Sequence, residues 1–435
     1  MKEESSIRGR TASQLAASLE RAIRVGELRP GDRLPPIREL AAQVAASHVT
    51  VASAYRRLRE RGLVVAAGRA GTRVAEQPPL PVRRAAPVPP GARDLADGNP
   101  DIRLLPPLPA LEPEHVLYGA PAKDPGLVAI LADTLRADGV PADHLAIVGG
   151  ALDAIERLLG AYLRPGDAVA VEDPGFTRLL DLIPVLGLAR VPVAVDDGGA
   201  RPESLERALA HGVEAVVLTP RAQNPTGAAF DVKRAAELRR VIRRRPDLLV
   251  IEDDHAAGVA GAPFQSVAAT AERWAVIRSF AIALGPDLRV AGVVGDETTI
   301  ARVEGRQLVG AGWVSHLLQR LVARQLTSAK AKSAVARAER TYAARRATLL
   351  DALSARGIEG WGRSGLSVWI PVAEEAAIVQ ALAAAGYAVA AGERFRLRSG
   401  PAIRISIARL DEGEAGEAAA ALASVLGPTA STYTA

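Results

Sequence analysis

The chain has 435 residues and a mass of 45.4 kDa, which is enough for two or three domains with a large buried core. Hydrophobic residues make up 49% and charged residues 24%, a composition typical of a globular protein and not of a disordered one. Because cysteine is absent, disulfides, a thiol nucleophile and thiolate zinc or iron–sulfur sites are excluded, and no metal site is predicted. No apolar run reaches the roughly 18 residues of a membrane helix and no signal peptide is recognisable, so we expect a cytoplasmic protein.

Basic residues are concentrated near the N-terminus. Residues 1–80 contain 14 Lys and Arg against 8 Asp and Glu, whereas residues 81–435 contain 40 against 41. A basic head on a neutral body is typical of a protein that binds nucleic acid through the head. Chance clustering in an arginine-rich composition would produce the same count, so charge by itself leaves both interpretations open.

The first 76 residues predict three helices and a hairpin. Leu15 and Leu19 repeat at helical spacing before Gly26, a second helix has Pro36 in its first turn, and Ser47 is a suitable N-cap for a third. Two short apolar strands around a glycine-rich turn follow, which completes the layout of a winged helix-turn-helix. Val51, Ala54, Tyr55 and Leu58 form the apolar stripe of the third helix, and residues 63–65 and 72–74 form the strands.

A proline-rich segment at residues 77–96 predicts a semi-rigid linker. The chain after it alternates apolar strands with helical segments, which is the pattern of an α/β domain. A long helical region at residues 299–353 and an α/β segment at 366–425 follow, so we expect one large domain and a smaller lobe assembled from both ends of the body. The predicted strands are Ala168–Val171, Val191–Val195, Ala215–Leu218, Leu248–Glu252, Ala275–Ile277 and Val290–Val294, with helices at Ala151–Tyr162 and Val232–Arg244.

Three stretches of the head resemble the GntR superfamily of regulators: Leu-Pro-Pro-Ile-Arg-Glu-Leu-Ala at 34–41, Ser-His-Val-Thr-Val-Ala-Ser-Ala-Tyr-Arg-Arg-Leu at 47–58 and Gly-Arg-Ala-Gly-Thr-Arg-Val at 68–74. The resemblance implies that the third helix enters the major groove by its N-terminal residues and that the wing contacts the backbone or minor groove. The family usually has arginine where His48 stands, so base reading is expected to rest more on Arg38 and the wing. The implied DNA-binding residues are Arg38, Ser47, His48, Val49, Thr50, Arg69 and Gly71.

Motifs of the body resemble, in the same order, those of fold-type I aminotransferases, which use pyridoxal phosphate (PLP). Together with the head they resemble the MocR-type regulators, which implies an α/β fold: an N-terminal winged helix-turn-helix plus a fold-type I PLP-dependent transferase-like domain with a large mixed sheet and a smaller lobe. We therefore predict a head at residues 1–76, a linker at 77–96 and a body at 97–428. The motifs are Asp97-Gly98-Asn99-Pro100-Asp101, Gly149-Gly150-Ala151, Asp173-Pro174-Gly175-Phe176, Asn224-Pro225-Thr226-Gly227 and Ile403-Arg404-Ile405-Ser406.

The same resemblance implies roles for individual residues. Phe176 would stack on the pyridine ring, Asn224 would bond its hydroxyl, and Asp253 would pair with its protonated nitrogen. Arg404 would bind a substrate or effector carboxylate as a bidentate pair, and Tyr118 would reach the cofactor phosphate of the partner subunit. The implied cofactor-binding residues are Tyr118, Gly150, Ala151, Phe176, Asn224, Asp253, His255, Ser279 and Arg289, of which Gly150, Ala151, Ser279 and Arg289 would surround the phosphate.

The lysine of the family pattern is missing. Its position, three residues after Ser279 and seven before Arg289, is occupied by Ile282. A primary amine is needed to bond the cofactor and to shuttle the proton, and an isoleucine can do neither. His255, where the family commonly has tyrosine, can accept a proton but cannot form that bond. We therefore predict no catalytic residue, no enzyme activity and no covalently bound PLP; non-covalent PLP, pyridoxamine phosphate or an amino-acid adduct stays compatible with the sequence.

These features predict a homodimeric transcription regulator that binds operator double-stranded DNA. A small effector, an amino acid or a B6-like anion, would control it from a catalytically dead aminotransferase-like pocket. One alternative is a ligand-independent DNA-binding protein that uses the aminotransferase fold only to dimerise. Another is an atypical PLP enzyme that uses a displaced lysine or His255.

Overall fold

The computed structural model describes residues 7–24, 27–60, 63–66, 71–75, 88–110 and 114–426. The chain divides into two compact units: one contains the N-terminal residues to 82 together with residues 164–167 and 181–189, and the other contains the rest of the chain. We call the three helices and the hairpin at the N-terminus the head, and the chain from residue 83 onward the body. Most of the predicted linker, Arg69 of the predicted wing, and the predicted turn residues Gly26 and Gly68 lie outside the described residues, so those expectations stay predictions. No helix in the described part of the chain is long and apolar enough to span a bilayer.

The head folds as three helices and a hairpin because each helix has one apolar face. Its elements are α1 (Ala12–Arg24), α2 (Ile37–Gln43), α3 (His48–Glu60) and the antiparallel strands β1 (Val64–Ala66) and β2 (Thr72–Val74). Ser47 Oγ accepts a hydrogen bond from Thr50 N at 3.0 Å, which confirms the predicted N-cap. Pro36 is the N-cap of α2 and not a first-turn residue, so this expectation was wrong by one position. The head core consists of Leu15, Ala16, Leu19, Leu34, Leu40, Ala41, Val51, Ala54, Tyr55, Leu58, Val64 and Val74.

The body alternates strands and helices, as predicted. Its strands are β3 (Arg93–Asp94), β4 (Leu145–Val148), β5 (Ala168–Asp173), β6 (Ala189–Asp196), β7 (Gly199–Ala200), β8 (Ala215–Leu218), β9 (Leu249–Asp254), β10 (Arg273–Ser279), β11 (Ala291–Gly295), β12 (Ser367–Pro371), β13 (Tyr387–Ala388), β14 (Ala390–Ala391) and β15 (Ala402–Ser406). Its helices are α4 (Pro125–Ala137), α5 (Ala151–Tyr162), α6 (Thr177–Val185), α7 (Pro202–Ala210), α8 (Val232–Ile242), α9 (Ala281–Leu284), α10 (Glu297–Val309), α11 (His316–Thr327), α12 (Ala329–Ser354), α13 (Glu375–Ala384) and α14 (Glu412–Leu426).

A mixed sheet forms the centre of the body, with eight strands in the described residues. The strand order is β4-β11-β10-β9-β8-β5-β6-β7. Strands β10, β9, β8 and β5 are parallel neighbours, and β11 runs antiparallel to both β10 and β4. The central strands are buried on both faces, which explains their continuous apolar runs. The carboxyl ends of β4, β5, β8, β9 and β10 therefore lie along one edge of the sheet.

The smaller lobe uses both ends of the body, as predicted. Strand β15 pairs antiparallel with β12 and β14, and α14 packs against α12. From the beginning of the body, β3 pairs parallel with β13. The N-terminal segment of the body is thereby built into the lobe that carries Arg404.

The predicted strand β8 has the predicted bounds, and β5, β6 and β10 extend beyond theirs. Strands β9 and β11 each begin one residue later than predicted and also end later. Strand β4, which consists of four buried residues, was missed. The predicted helical region at 299–353 is three helices. Gly310 and Gly312 separate α10 from α11, and Ser328 caps α12 by accepting a hydrogen bond from Ala331 N.

Candidate functional site

The described site residues of the body converge because their strands end together. The register pairs Asp253 of β9 with Ile277 of β10, so Ser279 closes the neighbouring strand at the same edge. Ala291 of β11 pairs with both Ser279 and Val148 of β4. The turn before β11 therefore meets the end of β4, and motifs far apart in sequence form one site at the carboxyl edge of the sheet.

The predicted phosphate end of the site is built from Arg289 and the start of α5. Arg289 Nη2 donates to Gly149 O at 3.0 Å, and a Cβ at position 150 would lie 2.7 Å from the same nitrogen. Gly150 also has φ of 106°, a backbone conformation that favours glycine, and a Cβ there would displace the Arg289 guanidinium. Ala151 begins α5, and the first N–H groups of a helix have no partners within it. Asp153 Oδ2 already accepts from Gly149 N at 2.8 Å, so a phosphate would rely on the N–H groups after residue 149.

Asp253 is a buried carboxylate with an unused acceptor. Its side chain is 7% exposed, and Oδ1 has no hydrogen-bond partner among the described residues. Burial raises the pKa of Asp253 from 3.8 to about 6, against the lowering effect of the nearby His255. His255 is half-buried one residue beyond the end of β9. The arrangement leaves an acceptor for a cationic N–H donor that none of the described residues supplies.

Asp254, the next residue, is fully paired. Arg221 grips it through two bonds, Nε to Oδ1 at 2.8 Å and Nη2 to Oδ2 at 2.9 Å. Arg278 adds a third bond at 2.9 Å and continues to Asp138 at 2.6 Å, and both guanidiniums lie over the ring of Phe264. Burial would raise the pKa of Asp254, but the two arginines outweigh it and hold the pKa below the ordinary value. This pairing was not predicted from the sequence.

Arg404 is a buried cation without a carboxylate partner among the described residues. It donates from Nη1 to Asn224 Oδ1 at 3.1 Å and from Nη2 to Ala96 O, while Nε has no hydrogen-bond partner. Burial and the neighbouring Arg394 lower the pKa of Arg404 to about 10. The guanidinium lies 4.8 Å from the ring centre of Phe395. The predicted carboxylate-binding arginine and the predicted ring-hydroxyl partner Asn224 are thus in direct contact.

The loop that carries Phe176 is tied to the smaller lobe. Asp173 accepts hydrogen bonds from the three backbone N–H groups of residues 397–399 at 2.7 to 3.0 Å. Gly175 N donates to Phe395 O at 2.7 Å. Phe176 itself is half-buried at the end of this loop, directly before α6. These bonds set the position of the predicted ring-stacking side chain relative to the lobe that carries Arg404.

Glu172 and Gln223 form hydrogen bonds that hold the loops of the site together, and neither was identified as a site residue from the sequence. Glu172 accepts from Thr219 N at 3.1 Å and from Gln223 Nε2 at 3.2 Å. Gln223 in turn donates to Pro174 O and accepts from Thr226, which links the loop after β5 to the turn that carries Asn224. Burial raises the pKa of Glu172 to about 7. The only sequence signal was that both residues directly precede a motif.

Ile282 lies in α9, immediately after the end of β10. It is half-buried and packs against the body core. Lys123 is engaged elsewhere, since Nζ donates to Leu145 O at 2.8 Å and pairs with Glu304 at 2.6 Å. The remaining described lysines, Lys233, Lys330 and Lys332, are exposed.

Tyr118 does not join the other predicted residues within this protomer. It is 93% exposed and meets Trp313 edge to face, with ring centres 5.5 Å apart. It lines a cleft of about 740 Å³ together with Trp313, His316 and Leu317. Its predicted role requires a second subunit.

The head exposes part of its predicted DNA-binding set. Arg38, on the first turn of α2, and His48 and Val49, at the start of α3, are exposed. The hydroxyls of Ser47 and Thr50 lie 2.8 Å apart and bond each other. Ser47 therefore caps the helix through its hydroxyl, which is also bonded to the hydroxyl of Thr50.

The described part of the wing brings in a residue that the sequence did not single out. A Cβ on Gly71 would lie 3.1 Å from Arg33 Nε. Arg33 and Arg73 face each other across an isolated bridge, and Arg73 Nη1 donates to Gly31 O at 2.8 Å. Both arginines are exposed, so the basic surface of the wing extends beyond the predicted residues.

Family comparisons match both units. Residues 11–74 match the family described as bacterial regulatory proteins, gntR family, and residues 126–422 match aminotransferase class I and II. A relative from Salmonella typhimurium, the "Vitamin B6 salvage pathway transcriptional repressor PtsJ", is 42% identical over 424 residues, covering 95% of this chain and 98% of the relative. The "HTH-type pyridoxine biosynthesis transcriptional regulator PdxR" of Corynebacterium glutamicum is 28% identical over 78% of each chain. The "HTH-type transcriptional regulator TauR" of Rhodobacter capsulatus is 27% identical over 83% of this chain and 84% of the relative.

Solved structures similar to the chain are aminotransferases. LysN, an α-aminoadipate aminotransferase from Thermus thermophilus, matches with a TM-score of 0.67 and 21% identity over 78% of this chain and 93% of that chain. Kynurenine aminotransferase from Pyrococcus horikoshii matches with a TM-score of 0.69 and 21% identity over 78% and 91%. At this identity the likeness shows the fold, which is the predicted α/β transferase fold.

Proposed function

Because the chain belongs to the aminotransferase class I and II family and joins that body to a GntR-type helix-turn-helix head, as MocR-type regulators do, we propose that it is a ligand-controlled transcription regulator. The regulatory part of the proposal follows from the relatives, which are named as transcriptional regulators or repressors. The ligand control is our addition. The observation that carries it is the pair of opposite charges, Asp253 and Arg404, that are buried without ion-pair partners among the described residues.

The residues present fit a pyridine phosphate. Asp253 Oδ1 would accept from a protonated ring nitrogen, a charge-assisted bond in a buried setting. Arg289 and the first N–H groups of α5 would hold the phosphate at the positive end of the helix dipole. Asn224 would bond the ring hydroxyl, and Arg404 would take a carboxylate. PLP, pyridoxamine phosphate and their amino-acid adducts carry groups complementary to this set; Phe176, Ser279, His255 and the partner's Tyr118 would complete it.

The ligand would bind without a covalent bond. When bound, PLP supplies an aldehyde that a primary amine can attack, and the family position for that amine is Ile282. Three or four charge-assisted bonds at ~1.5–3 kcal/mol each contribute at most ~12 kcal/mol, and an association cost of at least ~4 kcal/mol leaves at most ~8 kcal/mol, which corresponds to a micromolar affinity. Such a ligand exchanges with the free pool, which suits a sensor and does not suit a transaminase.

A vitamin B6 phosphate is the effector that we propose. Two relatives are named for vitamin B6 salvage and for pyridoxine biosynthesis, and one of them is 42% identical over nearly its whole length. The chain would then control genes of B6 supply from the cytoplasm. An amino acid held by Arg404 is the second candidate, favoured by the unused Nε of that guanidinium.

A second copy would complete the regulator. Leu117, Tyr118, Leu308 and Val309 are 63% to 93% exposed, a concentration of apolar surface that a two-fold partner would cover. Two heads related by a two-fold axis would read a pseudo-palindromic operator.

Calorimetry with PLP on the ligand-free protein tests the proposal. We expect a micromolar Kd, full release on dialysis, and no mass increase after borohydride reduction. Asp253→Asn should weaken binding at least tenfold, whereas Asp143→Asn, which changes an exposed carboxylate, should leave it unchanged. A borohydride-stable adduct would favour the enzyme alternative instead.

The regulatory part needs DNA. Duplexes selected from a randomised library by the full-length protein should bind with different affinity in the presence and absence of PLP. Equal affinity with PLP, pyridoxamine phosphate and amino acids would contradict ligand control and leave the dimerisation scaffold. Ile282→Lys restores the missing amine, and a borohydride-stable PLP adduct on this variant would show that the rest of the pocket is intact.

A further inference from the structure

The outward face of α3 is defined by the position of its buried stripe. Val51, Ala54, Tyr55 and Leu58 are buried in the head core. Residues 49, 53 and 56 repeat at i, i+4 and i+7 and lie on the opposite side of the helix. Ser53 and Arg56 on that side are polar and bond each other at 3.3 Å, whereas Val49 is apolar. The face that can approach a partner therefore carries one aliphatic side chain, at its N-terminal end.

Val49 is unusually exposed for an aliphatic residue of this head. It is 78% exposed, compared with 38% for Ile37 and 48% for Val65. The head core does not use it. Scattered exposed aliphatic residues are ordinary on protein surfaces. Here, however, the position belongs to the helix end that a helix-turn-helix inserts into the major groove.

The hydrogen-bonding groups around Val49 are limited. Ser47 Oγ is bonded to Thr50 N and to Thr50 Oγ1. His48 is exposed and carries the ring nitrogens that remain free to meet a base edge. The exposed groups at this end of α3 are consequently the Ser47 hydroxyl, the His48 imidazole and the Val49 isopropyl group. The bond between Ser47 and Thr50 uses one of their two hydroxyl protons. Val49 is the apolar group among residues 47–50 that can meet a base edge.

An isopropyl group has one matching partner in the major groove. Base edges there present hydrogen-bond donors and acceptors, and the C5-methyl of thymine is the apolar group among them. Resting on the DNA-binding function above, we propose that Val49 contacts the C5-methyl of a thymine and thereby specifies thymine at one position of each operator half-site. The apolar contact replaces water on both surfaces, and the other three bases offer no methyl at that edge.

The test removes only the methyl group from the DNA. Duplexes are first selected from a randomised library with the full-length protein. Each thymine of the selected half-site is then replaced singly by deoxyuridine, which keeps every hydrogen bond and lacks the C5-methyl. We expect one position per half-site at which this replacement weakens binding about three- to fivefold, the effect of losing one buried methyl contact.

The same replacements are measured with two variants. Val49→Ala should bind the selected duplex more weakly and lose the deoxyuridine effect at that position, while Val65→Ala, a matched exposed valine outside α3, should retain it. Val49 is exposed, so Val49→Ala should unfold at the same urea concentration as the native chain. A profile that shows no sensitive thymine would overturn the inference, and so would equal sensitivity in Val49→Ala. Failure to select any duplex would instead contradict DNA binding, and the inference with it.

Discussion

Asp253 and Asp254, neighbouring carboxylates at the end of β9, differ in their hydrogen-bond partners and in the direction in which their pKa values are shifted. Asp254 receives three bonds from Arg221 and Arg278, and its pKa lies below the ordinary value. Asp253 faces the site, its Oδ1 has no hydrogen-bond partner in the part of the chain that the structure describes, and burial raises its pKa to about 6. Both side chains are nearly excluded from solvent. Burial by itself is therefore not what separates them.

The two faces of the sheet at the end of β9 differ in whether side chains of this chain pair with the buried carboxylate. Side chains alternate across a strand, so consecutive residues of β9 meet separate surroundings. On the Asp254 side, the chain supplies every counter-charge and an aromatic ring beneath the guanidiniums. On the Asp253 side no described residue forms an ion pair with the carboxylate, although an unpaired buried charge opposes folding. A ligand with a cationic N–H group, as proposed above, would pair with Asp253 and remove this cost.

The largest expected loss of stability comes from removing the paired carboxylate of Asp254. Asp254→Asn removes the counter-charge of two arginines, of which Arg278 is 3% exposed. We expect the free energy of unfolding to fall by about 3–5 kcal/mol, the usual result of removing one partner of a buried ion pair. Urea unfolding monitored by circular dichroism measures this. A loss below 1 kcal/mol would mean that the two arginines do not depend on Asp254.

At Asp253 we expect the same substitution to increase the free energy of unfolding instead of lowering it. The folded pKa of Asp253, about 6, exceeds the ordinary 3.8, so its ionisation opposes folding and stability falls as the pH rises from about 4 to about 6. At pH 8, Asp253→Asn should raise the free energy of unfolding by an amount on the order of 3 kcal/mol or less, and the gain should vanish near pH 4. Paired urea titrations at the two pH values test this in the ligand-free protein. A variant that is destabilised equally at both would show that the carboxylate has a structural partner.

Gly150 offers an intermediate effect on the site side. Gly150→Ala places a Cβ 2.7 Å from Arg289 Nη2 at a backbone φ of 106°. We expect a loss of about 1–3 kcal/mol in unfolding free energy from backbone strain and a weaker affinity for inorganic phosphate and PLP. Gly139→Ala is the control, since Gly139 also has a positive φ, but a Cβ there meets no atom within 4 Å. Equal phosphate affinity in both variants would contradict a phosphate site at Arg289.

The smallest effect is expected at Glu172, which combines a raised pKa with hydrogen-bond partners. Glu172→Gln retains an acceptor for Thr219 N and removes a charge whose pKa is about 7. Removing the buried charge stabilises the fold, whereas replacing the acceptor of Gln223 Nε2 weakens a hydrogen bond. Because these two effects oppose each other, we expect the free energy of unfolding to change by less than about 1 kcal/mol at pH 8. Its pH profile should lose the decline in stability between about pH 4.5 and 7 that the folded carboxyl produces. An unchanged profile would show that Glu172 does not titrate in that range.

Much of the architecture could be predicted because its signals are local. Ser47 was identified as an N-cap from its place before an apolar stripe, and Asp253 was placed at a strand end by the apolar run before it. The pairing of Arg221 and Arg278 with Asp254 could not be predicted, because Arg221 follows β8 and Arg278 lies on β10, on either side of β9. Glu172 and Gln223 were missed for the same reason, since their contact joins the end of β5 to the turn after β8, 51 residues away in sequence.

The order of the units, the apolar periods of most helices and strands, and the isoleucine where an amine would be needed are readable from the amino-acid sequence alone. These follow from covalent order and from the burial demands of single elements. Packing between distant elements sets three further features: Asp253 Oδ1 has no partner among the described residues while Asp254 has two arginines, Arg404 lies against Asn224, and Val49 faces outward from the head. Whether a charge is paired depends on which side chains the sheet register brings within about 3 Å, and that is set by packing across the whole domain.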